Sequence, residues 1–257
     1  MLTKTEAIVL HSIKYGESKM IVDMFTRQHG RLSFVIGLPK SAHARLKKQY
    51  FQPLTILNIE CDVRPQLSLQ KLSDASIHTP LPSLLSTPVK LAISLFLSEF
   101  LYHALRDEQQ NILLFDYITS SLEWLESRDS DYANFHLVFL MHLSRFLGFY
   151  PNLEERGVRR DERGVRKEER TRSEEAYFDL QAASFCSAPP LHRDFLMPQE
   201  ASMLRLMMRM DFPNMHLFHM NRQQRNRCIE VALQFYRIHL PDFPELRSLN
   251  VLKELWN

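Results

Sequence analysis

Residues Gly30–Tyr50 read "GRLSFVIGLPKSAHARLKKQY", and their character changes halfway along. In the first half apolar and polar side chains alternate, which is the pattern of a strand with one buried face. The second half carries four cationic or titratable basic side chains and no carboxylate, namely His43, Arg45, Lys47 and Lys48. A strand that leads into such a run predicts a β-rich fold with a basic connecting segment, and an anionic ligand for that segment.

The strand pattern extends through residues 1–80. Met20, Val22 and Met24 lie on one side of the second predicted strand, with Ile21 and Phe25 on the other. Five strands with one basic connection are the inventory of an OB-fold barrel, although periodicity alone does not fix that topology. The five predicted strands are "TEAIVLHSI" (5–13), "SKMIVDMFT" (18–26), "RLSFVIGL" (31–38), "PLTILNIECDV" (53–63) and "QLSLQKLSD" (66–74).

The period changes to helical after residue 80, so we expect an α+β protein in which an OB-fold domain (1–80) precedes an all-helical domain (81–257). The hydroxyl of Thr87, followed by Pro88, predicts the cap of the first long helix. Further helices are predicted in 111–128, in 132–149 at the centre of a bundle, in 198–211, in 221–240 with a capping pair of Asn221 and Gln224, and in 244–256.

Charge is spread unevenly along the chain. Residues 1–80 hold 11 lysines and arginines against 6 aspartates and glutamates, whereas the whole chain has a net charge of only +2. This asymmetry indicates an anionic partner for the N-terminal part. Residues 154–175 carry "ERGVR" twice, with balanced charge and almost no apolar side chains, so we expect an exposed, mobile insertion there. A nucleic-acid arm is the alternative for this insertion.

Motifs for catalysis and cofactors are missing from the sequence. The six glycines are too scattered for a phosphate-binding loop or a dinucleotide fingerprint, and there is no C-x-x-C pair for zinc. His216, His219 and Cys228 are the best remaining metal candidates, for which ordinary packing or surface positions are the default interpretation. Three scattered cysteines indicate reduced thiols in a cytosol, and neither a signal peptide nor a membrane span is expected.

The basic segment has two interpretations. Small barrels hold single strands with cations along the phosphates and aromatic rings against the bases, and Phe34, Tyr50 and Phe51 are the aromatic residues nearby. Alternatively, the segment is a solubilising loop, with Phe34 and Phe51 in the core. We expect nucleic-acid binding, and a protein-interaction adaptor with an incidental barrel is the competing class. A nucleic-acid-modifying enzyme is the third class.

Residues 7–41, "AIVLHSIKYGESKMIVDMFTRQHGRLSFVIGLPKS", resemble the amino terminus of the RecO family of bacterial recombination mediators. The resemblance continues in "RFLGFYPNLE" (145–154), "YFDL" (177–180) and "LRSLNVLKEL" (246–255), and spans nearly the whole chain. The N-terminal residues that carry it are the early apolar strand, Gly16-Glu17, Phe25-Thr26, Gly30-Arg31 and Gly37.

The resemblance implies a non-catalytic protein that binds and anneals single-stranded DNA and helps load recombinase on strands coated by single-strand-binding protein. It implies RecR and single-strand-binding protein as partners, double-stranded DNA as a second candidate ligand, no cofactor, and a cytoplasmic location at the nucleoid. The residues we assign to DNA binding are Arg27, Arg31, Lys40, His43, Arg45, Lys47 and Lys48.

In this family the acidic, apolar-ended tail of single-strand-binding protein is received by the helical domain. Two places could supply cations for it: His142 with Arg145, and the start of a later helix with Arg222, Arg225 and Arg227. Cations oppose the dipole at a helix start, so an anion there would offset them. The alternatives are intramolecular pairing with Asp211 or Glu230, which is slightly favoured, and a capping role for Arg145.

Two departures from the family pattern alter the expectations. Many members carry a four-cysteine zinc module after the position of Tyr150, where this chain has the charged insertion and Cys186 alone, so no zinc is expected. A family Lys-Gly-basic pattern reads "IGLPKS" here, with Ile36 before the glycine. Lys40 and the cluster at 45–48 would replace the missing phosphate contact.

Overall fold

Five strands close a barrel in the N-terminal part of the chain. In this computed structural model, which describes residues 2–37, 46–156 and 176–255, the strand order around the barrel is β1-β2-β3-β5-β4. Neighbouring strands are antiparallel except β3 and β5, which are parallel. The predicted barrel is confirmed, with strands β1 Leu2–Tyr15, β2 Lys19–Thr26, β3 Gly30–Gly37, β4 Ile56–Asp62 and β5 Leu69–Thr79.

Alternation along β2 separates the barrel interior from its outer face. Met20, Val22 and Met24 lie in the buried core of the barrel, as predicted, and Ile21 and Phe25 point outward. The core is completed from the other strands and from Phe51, on a 3₁₀ turn (Lys48–Phe51) between β3 and β4. The connection that carries the basic segment is therefore anchored in the barrel.

Seven helices follow or complete the barrel within the described residues. They are α1 Pro82–Ser86, α2 Pro88–Ala104, α3 Ile112–Glu126, α4 Phe135–Phe146, α5 Pro198–Met208, α6 Arg222–His239 and α7 Ser248–Lys253. Residue contacts divide the described parts of the chain into two compact units, one within residues 2–129 and 244–255 and the other within residues 130–243. The barrel, α1–α3 and α7 thus belong to the first unit. The expected domain boundary at residue 80 stays a prediction.

Helix α2 carries a polar stripe at helical spacing, and this stripe is buried. Lys90, Ser94 and Ser98 are almost fully buried, and Leu95 on the same helix is 44% exposed. The Ser98 hydroxyl donates to the Leu10 carbonyl of β1, and Lys90 Nζ donates to the Glu126 carbonyl at 3.0 Å. Thr87 starts the helix but its hydroxyl makes no capping bond, contrary to prediction. The stripe therefore forms internal contacts instead of facing solvent.

The second unit is built around α4, whose residues 135–141 are all buried. The Tyr236 hydroxyl of α6 donates to the Leu140 carbonyl at 2.7 Å. Asn221 and Gln224 form the predicted capping box at the start of α6. A small four-stranded sheet, in the domain expected to be all-helical, lies among these helices in the order β6-β8-β7-β9, with β6 Asn152–Arg156, β7 Tyr177–Asp179, β8 Ser184–Cys186 and β9 Phe195–Leu196.

The expected mobile insertion falls, from residue 157 to residue 175, outside the described residues. Among the helices of the described ranges, none has the length and apolar character needed to cross a bilayer.

Candidate nucleic-acid interface

The basic segment leaves the barrel at the end of β3. Lys40, His43 and Arg45 lie outside the described residues, whereas Lys47 and Lys48 are described and exposed. Lys47 Nζ lies 5.9 Å from the centroid of the Tyr50 ring, within the range of a cation–π contact. Leu46 and Tyr50 pack against the barrel core. Two lysines are thus presented to solvent from a backbone that apolar side chains hold against the barrel.

The three aromatic residues near this segment have different positions. Phe34 is completely buried and Phe51 is 1% exposed, so the core interpretation is confirmed for both of them. Tyr50 is half-buried and keeps one part of its ring accessible. Of the three, Tyr50 alone can face a ligand.

Arg27, which the sequence assigned to DNA, bridges carboxylates within its own unit. Its Nη1 lies 3.1 Å from Glu6 Oε2 and 2.9 Å from Asp116 Oδ1. Its guanidinium carbon also lies 5.7 Å from the centroid of the Phe115 ring on α3. These contacts neutralise the charge and tie the end of β2 to α3.

Arg31 is also held by partners within its own unit, on α2 and β2. Its Nη1 donates to the Tyr102 carbonyl, its guanidinium carbon lies 4.4 Å from the centroid of the Tyr102 ring, and its Nη2 is 3.8 Å from Asp23 Oδ1. The side chain is 13% exposed. The structure therefore places Arg27 and Arg31 at the contact between barrel and helices, and not in the basic segment.

The same helices cover part of the outer face of β1, β2 and β3. The rings of Phe25 and Phe115 are 6.0 Å apart, and those of His11 and Tyr102 are 4.6 Å apart. Gly30 has a φ of +67°, and a Cβ there would lie 2.5 Å from the backbone of Gln109, so no other residue fits this contact. In OB-folds the outer face of strands 2 and 3 is the usual ligand surface, and here only part of it stays open.

The four candidates for partner binding are spread over the second unit. His142 Nε2 is 3.1 Å from the Met210 carbonyl, and burial, followed by the charge of Arg145, lowers the pKa of His142. Arg145 is exposed, and its guanidinium carbon lies 4.2 Å from the centroid of the Tyr150 ring. Arg222 is exposed in the first turn of α6. His142 and Arg145 thus lie on α4 with contacts to Met210 and Tyr150, whereas Arg222 lies at the start of α6.

Arg225 is buried, unlike its neighbour Arg222. Its Nε donates to Asn134 Oδ1 at 3.1 Å, and its Nη2 donates to the Met220 carbonyl at 2.9 Å. Burial lowers its pKa. The predicted intramolecular pairing with Glu230 is made by Arg227 of the same helix, whose Nη1 lies 3.0 Å from Glu230 Oε2.

A pocket of about 610 Å³ opens beside Arg225. Its wall combines apolar side chains with basic or titratable ones and with the start of α6. The lining includes Met215, Phe218, Met220, His216, His219 and Arg225, with Asp131 as an acidic member. The pocket therefore combines apolar side chains with exposed histidines at its rim.

No metal site forms in the part of the chain that the structure describes: no group of three or more His, Cys, Asp or Glu side chains could hold an ion there. Burial raises the pKa of the Cys228 thiol to about 11, which disfavours the thiolate that a metal requires. His216 and His219 line the pocket and form no metal site with Cys228.

Sequence reasoning missed three exposed residues on the barrel: Tyr15 and Lys19 at the β1–β2 turn, and Lys71 on β5. The signal for Tyr15 is its spacing: Ile13 and Tyr15 are two residues apart, so they lie on the same face of β1, beyond the part of the strand that faces the core. Lys71 gives no such signal, since its place beside β3 depends on the parallel pairing of β3 with β5.

The closed barrel, its strand order and its basic segment place the chain among OB-fold proteins, a class that binds oligonucleotides and oligosaccharides. The family model "Recombination protein O N terminal" matches residues 1–81, and "Recombination protein O C terminal" matches residues 85–249. The chain therefore belongs to the RecO family of DNA repair proteins. This family consists of recombination mediators that act without catalysis, so the predictions of the family and of a non-enzyme are confirmed.

Full-length relatives agree with this assignment. The DNA repair protein RecO of Phocaeicola vulgatus is 45% identical over 257 residues, and that of Bacteroides fragilis is 45% identical over 258 residues. The DNA repair protein RecO of Flavobacterium psychrophilum is 31% identical over 259 residues. In each case the match covers 100% of both chains.

Proposed function

We propose that this protein binds single-stranded DNA through the barrel, anneals complementary strands, and helps load recombinase on strands coated by single-strand-binding protein. The observation that carries the proposal is the basic segment. Lys47 and Lys48 are exposed on an anchored stretch of an OB-fold barrel in a DNA repair family. Lysines on such a connection can follow phosphates irrespective of base sequence.

The revised DNA-binding set consists of Lys40, His43, Arg45, Lys47 and Lys48. Arg27 and Arg31 are removed from it, because carboxylates and a ring within their own unit occupy both guanidinium groups. The basic residues that remain in the set all lie within 40–48. The phosphate backbone of the single-stranded DNA is therefore held next to the end of β3. Double-stranded DNA is the second proposed ligand of the same cations.

For single-strand-binding protein we propose the pocket beside α6 as the docking site of its acidic tail. The pocket offers Phe218 and Met220 to an apolar end, with His216 and His219 exposed at its rim near the acidic groups. RecR is the second proposed partner, and we assign it no binding surface on this chain. All of these interactions would take place in the cytoplasm, at the nucleoid.

Fluorescence anisotropy with labelled single-stranded oligonucleotides, repeated at several salt concentrations, tests the main proposal. We expect affinity that falls as salt rises, with a log–log slope of about 0.7 per neutralised phosphate. Mixing complementary strands should then anneal faster with the protein than without it. A salt-independent or undetectable affinity would instead support the protein-interaction adaptor.

A further inference from the structure

The outer face of β1, β2 and β3 continues beyond the helices that cover it. After His11 and Asp23 the strand ladder has two more rows towards the β1–β2 turn. One row pairs Ile13 with Ile21 and Ile21 with Val35, and the other pairs Tyr15 with Lys19 and Lys19 with Gly37. Directly paired side chains on one face lie about 5 Å apart, so each row forms a continuous surface.

These rows are accessible although they are largely apolar. Ile13 is 46% exposed and Tyr15 is 54% exposed. Val35 pairs with Lys71 of β5, which adds an exposed cation at the side of the rows. We call this surface the tip face and define it by Ile13, Tyr15, Lys19, Ile21, Val35 and Lys71.

The charges of the tip face are positive. Within the described part of the chain, neither Lys19 nor Lys71 forms an ion pair. The carboxylate next to Lys71 across the ladder is Asp62, and Arg64 Nε donates to Asp62 at 2.8 Å. Gly37, at the edge of the outermost row, is followed directly by the basic segment. A ligand with flat apolar groups and an anionic backbone is therefore complementary to this surface.

We propose that the tip face is a subsite for unpaired bases of single-stranded DNA, with one base stacked on the ring of Tyr15. Lys19 and Lys71 hold the phosphates on either side of the bases that rest on Ile13, Ile21 and Val35. This inference rests on the proposed function, and it locates the part of that site that recognises bases. Bases in a duplex are stacked on each other and cannot offer their faces, so the tip face selects single strands.

The experiment measures anisotropy of a labelled single-stranded oligonucleotide, a duplex, and a single strand with abasic positions. We expect Tyr15→Ala to weaken binding to the single strand about 5-fold or more, with an unchanged salt slope, because stacking is uncharged. Tyr15→Phe, which keeps the ring, should bind within about 2-fold of wild type. The affinities for duplex and abasic strand should be the same for Tyr15→Ala and wild type.

The cations are tested with Lys19→Ala/Lys71→Ala, which should reduce the salt slope by about 1.4, or 0.7 for each phosphate. Lys4→Ala is the matched control, since Lys4 is exposed on β1 but lies 2.7 Å from Glu60, and its removal should leave the slope unchanged. Ile77→Ala controls for loss of an exposed apolar side chain elsewhere on the barrel.

Two failures can be told apart. Salt-dependent binding of wild type, together with wild-type affinity of Tyr15→Ala for the single strand, overturns the tip face and leaves the proposed function standing. If wild type itself shows no affinity for single strands, both the proposed function and the tip face are overturned. Melting temperatures of all variants check that folding is intact.

Discussion

The guanidinium of Arg31 lies over the ring of Tyr102, with its central carbon 4.4 Å from the ring centroid. The same group donates to the Tyr102 carbonyl and faces Asp23, so a residue of β3 is joined both to α2 and to β2. A cation in these contacts cannot hold a phosphate without giving up its own partners. The pair therefore explains why this basic residue of the barrel has a structural role.

Replacing Arg31 should affect stability and not DNA binding. Arg31→Ala leaves the carbonyl of Tyr102 and the carboxylate of Asp23 without this donor, which costs about 1–3 kcal/mol. Arg31→Lys keeps the charge but loses the planar stacking on Tyr102 and should recover only part of the loss. Urea unfolding measures the stability, and anisotropy measures the salt slope. A slope that falls in Arg31→Ala would return this residue to the DNA-binding set.

The strands could be predicted because their cause is local. Met20, Val22 and Met24 alternate with outward-facing residues, and a two-residue period is visible without any partner strand. The contact of Arg31 with Tyr102 has no such signature, since the two residues are 71 positions apart and meet through packing of α2 on the barrel.

The buried polar stripe of α2 shows the same limit. Lys90, Ser94 and Ser98 form a polar row at helical spacing, and a polar row is normally the solvent face. Here Ser98 donates to the carbonyl of Leu10 on β1, and Lys90 donates to a carbonyl on α3. Whether the polar row faces solvent or the interior is decided by acceptors on β1 and α3. The sequence of the helix itself carries no information about them.

The basic segment provides the second prediction. Arg45→Ala/Lys47→Ala/Lys48→Ala should weaken binding to all single-stranded sequences alike and reduce the salt slope by about 2. Lys47 and Lys48 are exposed, so the melting temperature should stay close to that of wild type. Anisotropy at several salt concentrations, on two oligonucleotides of unrelated sequence, makes the measurement. An unchanged slope would show that these cations do not contact phosphates.

The pocket beside α6 provides the third prediction. His216→Glu places a carboxylate at its exposed rim and should weaken binding of a labelled acidic tail peptide several-fold, or about 1 kcal/mol, through like-charge repulsion. Arg145→Glu is the matched control, because Arg145 contacts Tyr150 and does not line the pocket. Equal affinity in both variants would place the peptide elsewhere, and a selective loss in Arg145→Glu would favour the α4 position.

The fourth prediction compares the buried Arg225 with the exposed Arg222 on α6. Because it is buried between Asn134 and the Met220 carbonyl, Arg225→Ala should lower the free energy of unfolding by about 1–3 kcal/mol. Arg222→Ala, at an exposed position in the same turn, should change it by less than about 0.5 kcal/mol. Urea unfolding of the two variants compares them directly. Similar stabilities would mean that the Arg225 contacts contribute nothing in solution.

The last prediction concerns the stability of the fold at acidic pH. His136 lies on α4 and is completely buried, and burial, with a smaller effect of the Arg225 charge, lowers its pKa from 6.5 to about 3. Between these values the unfolded chain binds a proton that the folded chain does not. The contribution of His136 to stability is therefore fully present above pH 6.5 and is lost as the pH falls towards 3, by up to about 1.4 kcal/mol per pH unit.

Burial also lowers the pKa values of His142 and His103, so their contributions have the same sign. Urea unfolding at pH 7.5 and pH 5.0 should show lower stability at the acidic value, before most carboxylates titrate. His136→Gln should reduce the difference between the two measurements, even if its stability at pH 7.5 is already lower. His78→Gln, at an exposed position on β5, is the control and should leave the difference unchanged. An equal pH dependence in His136→Gln and wild type would mean that His136 takes up its proton without unfolding.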